Sequence, residues 1–184
     1  MKVLETLELI RWLVLDVDGT MTDGGIYLDG NGIETKKFTV QDGAGILLAK
    51  AAGIEPVILT GRESGCVTKR AQELGIIHVY QNVKNKKERL DRFLDEYQIR
   101  PEEAAYVGDD LNDMEAMKCV GTAVCPQNAA KQVKSLCAYV LSSRGGEGAV
   151  REFVEMILEK RGILDECVQK LWGESAEHQR RREG

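Results

Sequence analysis

Trp12-Leu13-Val14-Leu15-Asp16-Val17-Asp18-Gly19-Thr20 is an apolar run that stops abruptly at two carboxylates one residue apart. Four consecutive large apolar residues without alternation mark a strand buried on both faces, the habit of a parallel sheet. The Asp-Gly that follows marks a turn at the strand's carboxyl end, which is where open α/β sheets bind ligands.

The same pattern recurs along the chain. Residues 55–59 run into Thr60-Gly61-Arg62, and Ala104-Ala105-Tyr106-Val107 runs into Gly108-Asp109-Asp110-Leu111-Asn112-Asp113. Further strands read at 78–80, 122–124 and 138–141. Helical periods read at 43–52 and 64–74, stopped by Gly53 and Gly75, and at 86–97, with Leu90, Phe93, Leu94 and Tyr97 on one face. Others pass through Met114 and Met117 and over 129–135, 149–160 and 164–171, with Leu111, Met114 and Met117 read as core. Alternation of strand and helix predicts a Rossmann-like three-layer α/β sandwich around a mainly parallel sheet. Between the first two motifs, residues 26–28 and 33–38 flank Asp29-Gly30-Asn31-Gly32, the composition of a β-hairpin turn. Residues 1–172 read as one domain with a hairpin flap over 24–38, and 173–184, with Arg180-Arg181-Arg182, as a flexible tail.

Composition narrows the function. The 184 residues carry 30 Asp and Glu against 25 Lys and Arg, a net charge of −5, which argues against nucleic acid as a partner. No apolar run approaches the ~20 residues of a membrane span, and Met1-Lys2-Val3-Leu4-Glu5 does not resemble a signal peptide. Five cysteines without a C-x-x-C pair read as free thiols of a reducing, cytoplasmic compartment.

The chemistry collects at the strand ends. Asp16, Asp18 and Asp109 together would repel strongly without a cation, and an oxygen-only ligand set without His or Cys points to Mg²⁺. A metal beside a free carboxylate suits phosphoryl transfer, with Asp16 as nucleophile and Asp18 as acid and base. Thr60 offers a hydroxyl and neighbouring amides to phosphoryl oxygens at the start of a helix. A lysine at the start of the 86–97 helix adds a point charge, and spacing leaves Lys84, Lys86 and Lys87 all open. Gly108 to Asp113 lacks the glycine that an EF-hand loop needs at its sixth position.

These motifs resemble the haloacid dehalogenase phosphatase superfamily. The resemblance implies Asp16 as nucleophile, Asp18 as acid/base, and a Mg²⁺ site built from Asp16, the Asp18 carbonyl and Asp109, supported by Asp113. Asn85-Lys86 matches the family's Asn-Lys pattern and selects Lys86. About forty residues separate the first two motifs, which leaves no room for a cap domain. That capless plan is similar to the 3-deoxy-D-manno-octulosonate 8-phosphate phosphatases over residues 10 to 160. It implies substrate contacts from Thr39, Val40, Gln41, Asp42 and Gly43, from Leu47, Gly61, Arg62 and Arg70, and from Asp18 and Lys86. It also implies a homotetramer in which the hairpin and a neighbour's C-terminal region close the entrance onto a small phosphorylated sugar acid.

Arg62 and Glu73 lean toward that eight-carbon group. Gln41 and Leu47, where its members often carry basic residues, resemble phosphatases of nine-carbon sugar acids, deaminoneuraminate and N-acetylneuraminate 9-phosphate. So do Ala44-Gly45-Ile46 and Arg151-Glu152-Phe153-Val154-Glu155. Two other classes share parts of the pattern. A receiver domain carries its acceptor Asp near mid-domain, whereas Asp16 stands at the start. A non-catalytic oligomerisation module related to sialic-acid activation would not need every catalytic position filled.

Overall fold

The computed structural model describes residues 6–173. Its strands are β1 (Trp12–Leu15), β2 (Tyr27–Leu28), β3 (Glu34–Thr35), β4 (Glu55–Leu59), β5 (His78–Tyr80), β6 (Ala104–Val107), β7 (Thr122–Cys125) and β8 (Tyr139–Val140). Its helices are α1 (Val40–Ala51), α2 (Gly65–Glu73), α3 (Lys86–Glu96), α4 (Met114–Met117), α5 (Lys131–Leu136), α6 (Ala149–Arg161) and α7 (Leu164–Trp172).

Six strands form a parallel sheet in the order β5-β4-β1-β6-β7-β8. The register sets Leu15 beside both Ile58 and Val107, so the three motif loops leave the sheet side by side. The Asp16 amide donates to the Val107 carbonyl at 3.0 Å, and the Thr60 amide donates to the Tyr80 carbonyl at 2.9 Å.

Side-chain alternation divides the core. Leu13, Leu15, Ile58, Ala105 and Val107 pack with α1, α2, α6 and α7 on one face. Val14, Val57, Leu59, Ala104 and Tyr106 pack with α3, α4 and α5 on the other. Both faces are covered, which is why β1 reads as an unbroken apolar run; each such side chain contributes about 1.5–3 kcal/mol on burial.

Helix α1 begins three residues earlier than the pattern predicts. Thr39 caps it, its hydroxyl accepting from the Gln41 amide at 3.2 Å. Gly43 and Gly45 lie within this helix, although glycine is a poor helix former. Packing overrides that propensity: a Cβ at Gly45 would lie 2.6 Å from the Arg151 Cα of α6. A second correction concerns Leu111, which is 54% exposed on a 3₁₀ turn rather than part of the core, while Met117 is buried as expected.

The hairpin forms an antiparallel ribbon shorter than its pattern, with Tyr27 opposite Thr35 and Thr22 bridged to Phe38 at its base. Asp29 Oδ1 accepts from the Asn31 and Ile33 amides at 2.9 and 2.7 Å and so builds the turn from its own side chain. Ile26, Leu28 and Ile33 on this ribbon are exposed. All five cysteines are free, and no helix among the described residues is long and apolar enough to cross a membrane. The Arg-rich tail lies outside the described residues.

Candidate active site

Asp16, at the end of β1, is buried and pairs with Lys86 Nζ at 2.7 Å. Lys86 is equally sequestered at the first position of α3, and its ammonium also donates to Asp113 Oδ1 at 2.6 Å. Asn85 caps that helix by accepting from the Glu88 amide, and this fixes the lysine's point of departure. Lys87 turns outward to Asp91, so burial and contact both select Lys86 from the three lysines.

Asp113 is fully buried. Its Oδ2 accepts from the Asp109 and Asp110 amides at 3.1 and 3.2 Å, and its Oδ1 from the Tyr106 hydroxyl at 2.8 Å. Asp109 accepts from the Thr20 hydroxyl at 2.9 Å. Gly19 makes that approach feasible: its φ is +94°, and a Cβ there would sit 2.1 Å from Asp109 Oδ2.

Carboxylate oxygens of Asp16, Asp109 and Asp113 lie within 4.8 Å of one another. Three carboxylates against one ammonium leave a formal charge of −2 in a buried space. Burial first, then the Asp113 charge, pushes Asp16 up to about 7 against the pull of Lys86. Burial likewise lifts Asp109 to about 7, opposed by the Thr20 hydrogen bond and aided by Asp113 and Asp110. Burial alone would lower Lys86, but Asp16 and Asp113 outweigh it and raise it. Tyr106 is raised well above its ordinary value, by burial and then by Asp113 and Asp16. A hard divalent cation fits this donor set in charge and in ligand chemistry.

Above these groups lies a cleft of about 140 Å³ lined by Asp16, Asp18, Thr60, Gly61, Arg62, Asp110 and Asn112. Asp18 departs from the expected cluster, since its carboxylate is not one of the three clustered acids but is ion-paired with Lys36. Lys36 and Glu34, which holds Arg62 at 2.7 Å, are site-rim residues that the motifs did not single out. Period-two spacing puts Glu34 and Lys36 on one side of the ribbon, but it does not announce their partners across the cleft. Thr20 and Tyr106 were visible in the motif and the strand without a role.

Of the expected sugar-acid residues, Asp18, Gly61 and Arg62 line this cleft and the others fall elsewhere. Thr39, Val40 and Gln41 line a separate surface hollow with Gly146 and Glu147. Arg70 donates to the Thr39 carbonyl at 3.2 Å and pairs with Glu73. Gly43 leaves room for it, since a Cβ there would lie 2.4 Å from Arg70 Nη2. Leu47 is half-buried on α1. Asp42 must be corrected: its oxygens accept from the Gly148, Val150 and Arg151 amides at 3.3, 2.9 and 3.2 Å, capping α6 from inside the protein. Its lone pairs are spent on that helix end and do not face the cleft.

A haloacid dehalogenase-like hydrolase model matches residues 36–121. The KdsC protein of Salmonella typhi, a 3-deoxy-D-manno-octulosonate 8-phosphate phosphatase, is 44% identical over 165 residues, 90% of this chain and 88% of that protein. The crystal structure of the phosphatase of the same name from Moraxella catarrhalis, in complex with magnesium, phosphate and a KDO molecule, superposes with a TM-score of 0.87 at 37% identity. It covers 90% of this chain and 95% of its own. The Yersinia pestis phosphatase gives a TM-score of 0.86 at 39% identity, over 89% and 88% of the two chains. At 44% identity over 90% of its length to such an enzyme, and with the same overall fold, the chain belongs to the 3-deoxy-D-manno-octulosonate 8-phosphate phosphatase family of haloacid dehalogenase-like hydrolases.

Proposed function

We propose that this protein is a Mg²⁺-dependent phosphatase that hydrolyses 3-deoxy-D-manno-octulosonate 8-phosphate to 3-deoxy-D-manno-octulosonate and phosphate. The observation that carries the reading is the buried Asp16 carboxylate, held 2.7 Å from Lys86 on the floor of a polar cleft beside Asp109 and Asp113. Mg²⁺ held by Asp16, the Asp18 carbonyl and Asp109, with Asp113 behind them, would screen the repulsion between nucleophile and phosphate.

The chain's own groups do the rest. Lys86 holds the Asp16 carboxylate in place and puts positive charge against the transferring group. Asp16 attacks phosphorus and becomes an aspartyl phosphate. Asp18 gives its proton to the leaving sugar oxygen, then takes one from the water that hydrolyses the intermediate. Thr60 and Gly61 offer a hydroxyl and an amide to the phosphoryl oxygens, and Arg62, exposed at the rim, suits the substrate carboxylate.

At about 140 Å³ the cleft is smaller than the ~300–1,000 Å³ of ordinary ligand pockets. The sugar acid therefore needs further walls. A homotetramer supplies them, with the ribbon and a neighbour closing the entrance; the exposed Ile26, Leu28 and Ile33 support such a contact. Thr39 to Gln41, Gly43, Leu47 and Arg70 remain candidates for the sugar end within that assembly. Residues 1–172 act as one capless domain, working in the cytoplasm.

The test is kcat/KM for octulosonate 8-phosphate against nonulosonate 9-phosphates. A clear preference for the eight-carbon ester is expected, whereas preference for a nine-carbon ester would move the assignment to the deaminoneuraminate or N-acetylneuraminate group. No Mg²⁺-dependent turnover of any phosphate ester would favour a non-catalytic module.

A further inference from the structure

Lys36 follows β3 on the ribbon, and its side chain is only 1% exposed. Its ammonium donates to Asp18 Oδ1 and lies 3.5 Å from Glu34 Oε1. Glu34 accepts from Arg62 Nη2 at 2.7 Å, and Arg62 Nε lies 3.8 Å from Asp18 Oδ2. Two acids and two bases therefore alternate in a ring over the mouth of the cleft, with Lys36 as its sealed member and Arg62 as its open one. Its neighbour Lys37 points the opposite way, 58% exposed and 3.8 Å from Asp23.

The two oxygens of Asp18 consequently differ. Oδ1 is anchored by the ammonium of a buried side chain, and Oδ2 faces the exposed arginine at the cleft. Burying a lysine is costly unless acids pair with it, and the acids that pair with Lys36 are Asp18 and Glu34. The lysine is thus aimed at the side chain to which the reaction assigns the proton.

We propose that Lys36 is a positioning residue for Asp18, fixing Oδ1 so that Oδ2 is aimed at the leaving oxygen. This rests on the phosphatase reading above. In the acid form of Asp18, Oδ1 still accepts from Lys36, whose charge Glu34 then balances; as Asp16 bonds to phosphorus, the phosphorus–oxygen bond to the sugar breaks and the proton carried on Oδ2 passes to the sugar oxygen. Asp18 is left ionised beside Lys36, and the hydrolytic water returns a proton to it while its oxygen bonds to phosphorus and releases Asp16.

Leaving-group dependence tests the role, because an alkoxide needs a proton to depart and p-nitrophenolate does not. The value of kcat/KM reports the steps through phosphoryl transfer, and is measured for octulosonate 8-phosphate, or the best alkyl phosphate of a panel, against p-nitrophenyl phosphate. Lys36→Met is expected to lose ~100-fold on the alkyl ester and under a tenth of that on the aryl ester, with partial recovery in Lys36→Arg. Asp18→Asn should show the same discrimination, and adding Lys36→Met to it should cost nothing further on the alkyl ester. Equal losses on both esters, or independent losses in the double variant, would overturn the role. Should Lys36→Met fail to fold by circular dichroism, the same criterion applies to Lys36→Gln. Failure of the substrate assignment shows in the wild-type panel alone, and failure of the positioning role only in the variants' alkyl-to-aryl ratio.

Discussion

The floor of the cleft and its rim are built on opposite terms. On the floor, Asp16, Lys86, Asp113 and Tyr106 are buried and joined by bonds of 2.6 to 2.8 Å, with Asp16 and Tyr106 at strand ends, Lys86 at a capped helix start and Asp113 on the 3₁₀ turn after β6. On the rim, Arg62 and the ribbon residues Ile26, Leu28 and Ile33 stand exposed. Charge on the floor is concentrated and needs a cation, whereas charge on the rim is already paired. Chemistry is therefore settled by local sequence at the strand ends, and selectivity by how longer-range parts assemble over them.

The largest effect belongs to the floor. Asp16→Asn is expected to lower kcat by at least ~10⁴-fold with octulosonate 8-phosphate while circular dichroism stays unchanged. Next is Lys86→Met, which leaves the carboxylates without their counter-charge and should cost about 3 kcal/mol in denaturant unfolding at pH 8 as well as activity.

Proton linkage sharpens the contrast. Asp16 and Asp109 stand near 7 in the fold against 3.8 ordinarily, so the folded state binds more protons between those values. Stability contributed by the floor therefore falls as pH rises from about 4 through 7, and a divalent cation removes that penalty. Mg²⁺ should raise Tm more at pH 8 than at pH 5, and Asp109→Asn should raise the metal-free Tm at pH 8. An equal Mg²⁺ shift at both pH values would contradict the electrostatic picture.

Smaller effects fall away from the floor. Asp42→Ala removes the internal cap of α6 and should cost ~1 kcal/mol, a Tm drop of about 2–4 °C, with kcat/KM near wild type. A large loss of kcat/KM at unchanged Tm would return Asp42 to the substrate site. Lys37→Ala, on the outer face of the ribbon, should change stability by under about 0.5 kcal/mol and leave activity intact, the opposite of its buried neighbour.

The same contrast explains what could be read in advance. Strand ends at Asp16, Thr60 and Asp109 were legible because an apolar run followed by Gly and Asp is a local signal, and the parallel sheet follows from its repetition. Lys86 needed the family pattern, since its neighbours Lys84 and Lys87 have the same local chemistry and only burial separates them. Asp42 misled because its partners, the amides of 148 to 151, are over a hundred residues away in sequence. Lys36 and Glu34 escaped for the same reason: their partners Asp18 and Arg62 belong to two other loops, and no local period announces an ion pair across them.

The central claim is that Asp16 carries the phosphoryl group. Acid quenching during turnover, followed by peptide mass mapping, tests it directly. The expected result is a phosphorylated peptide containing Asp16 that appears before steady state and is absent from Asp16→Asn. Product formation with no phosphorylated peptide, or with the phosphoryl group on another residue, would contradict it.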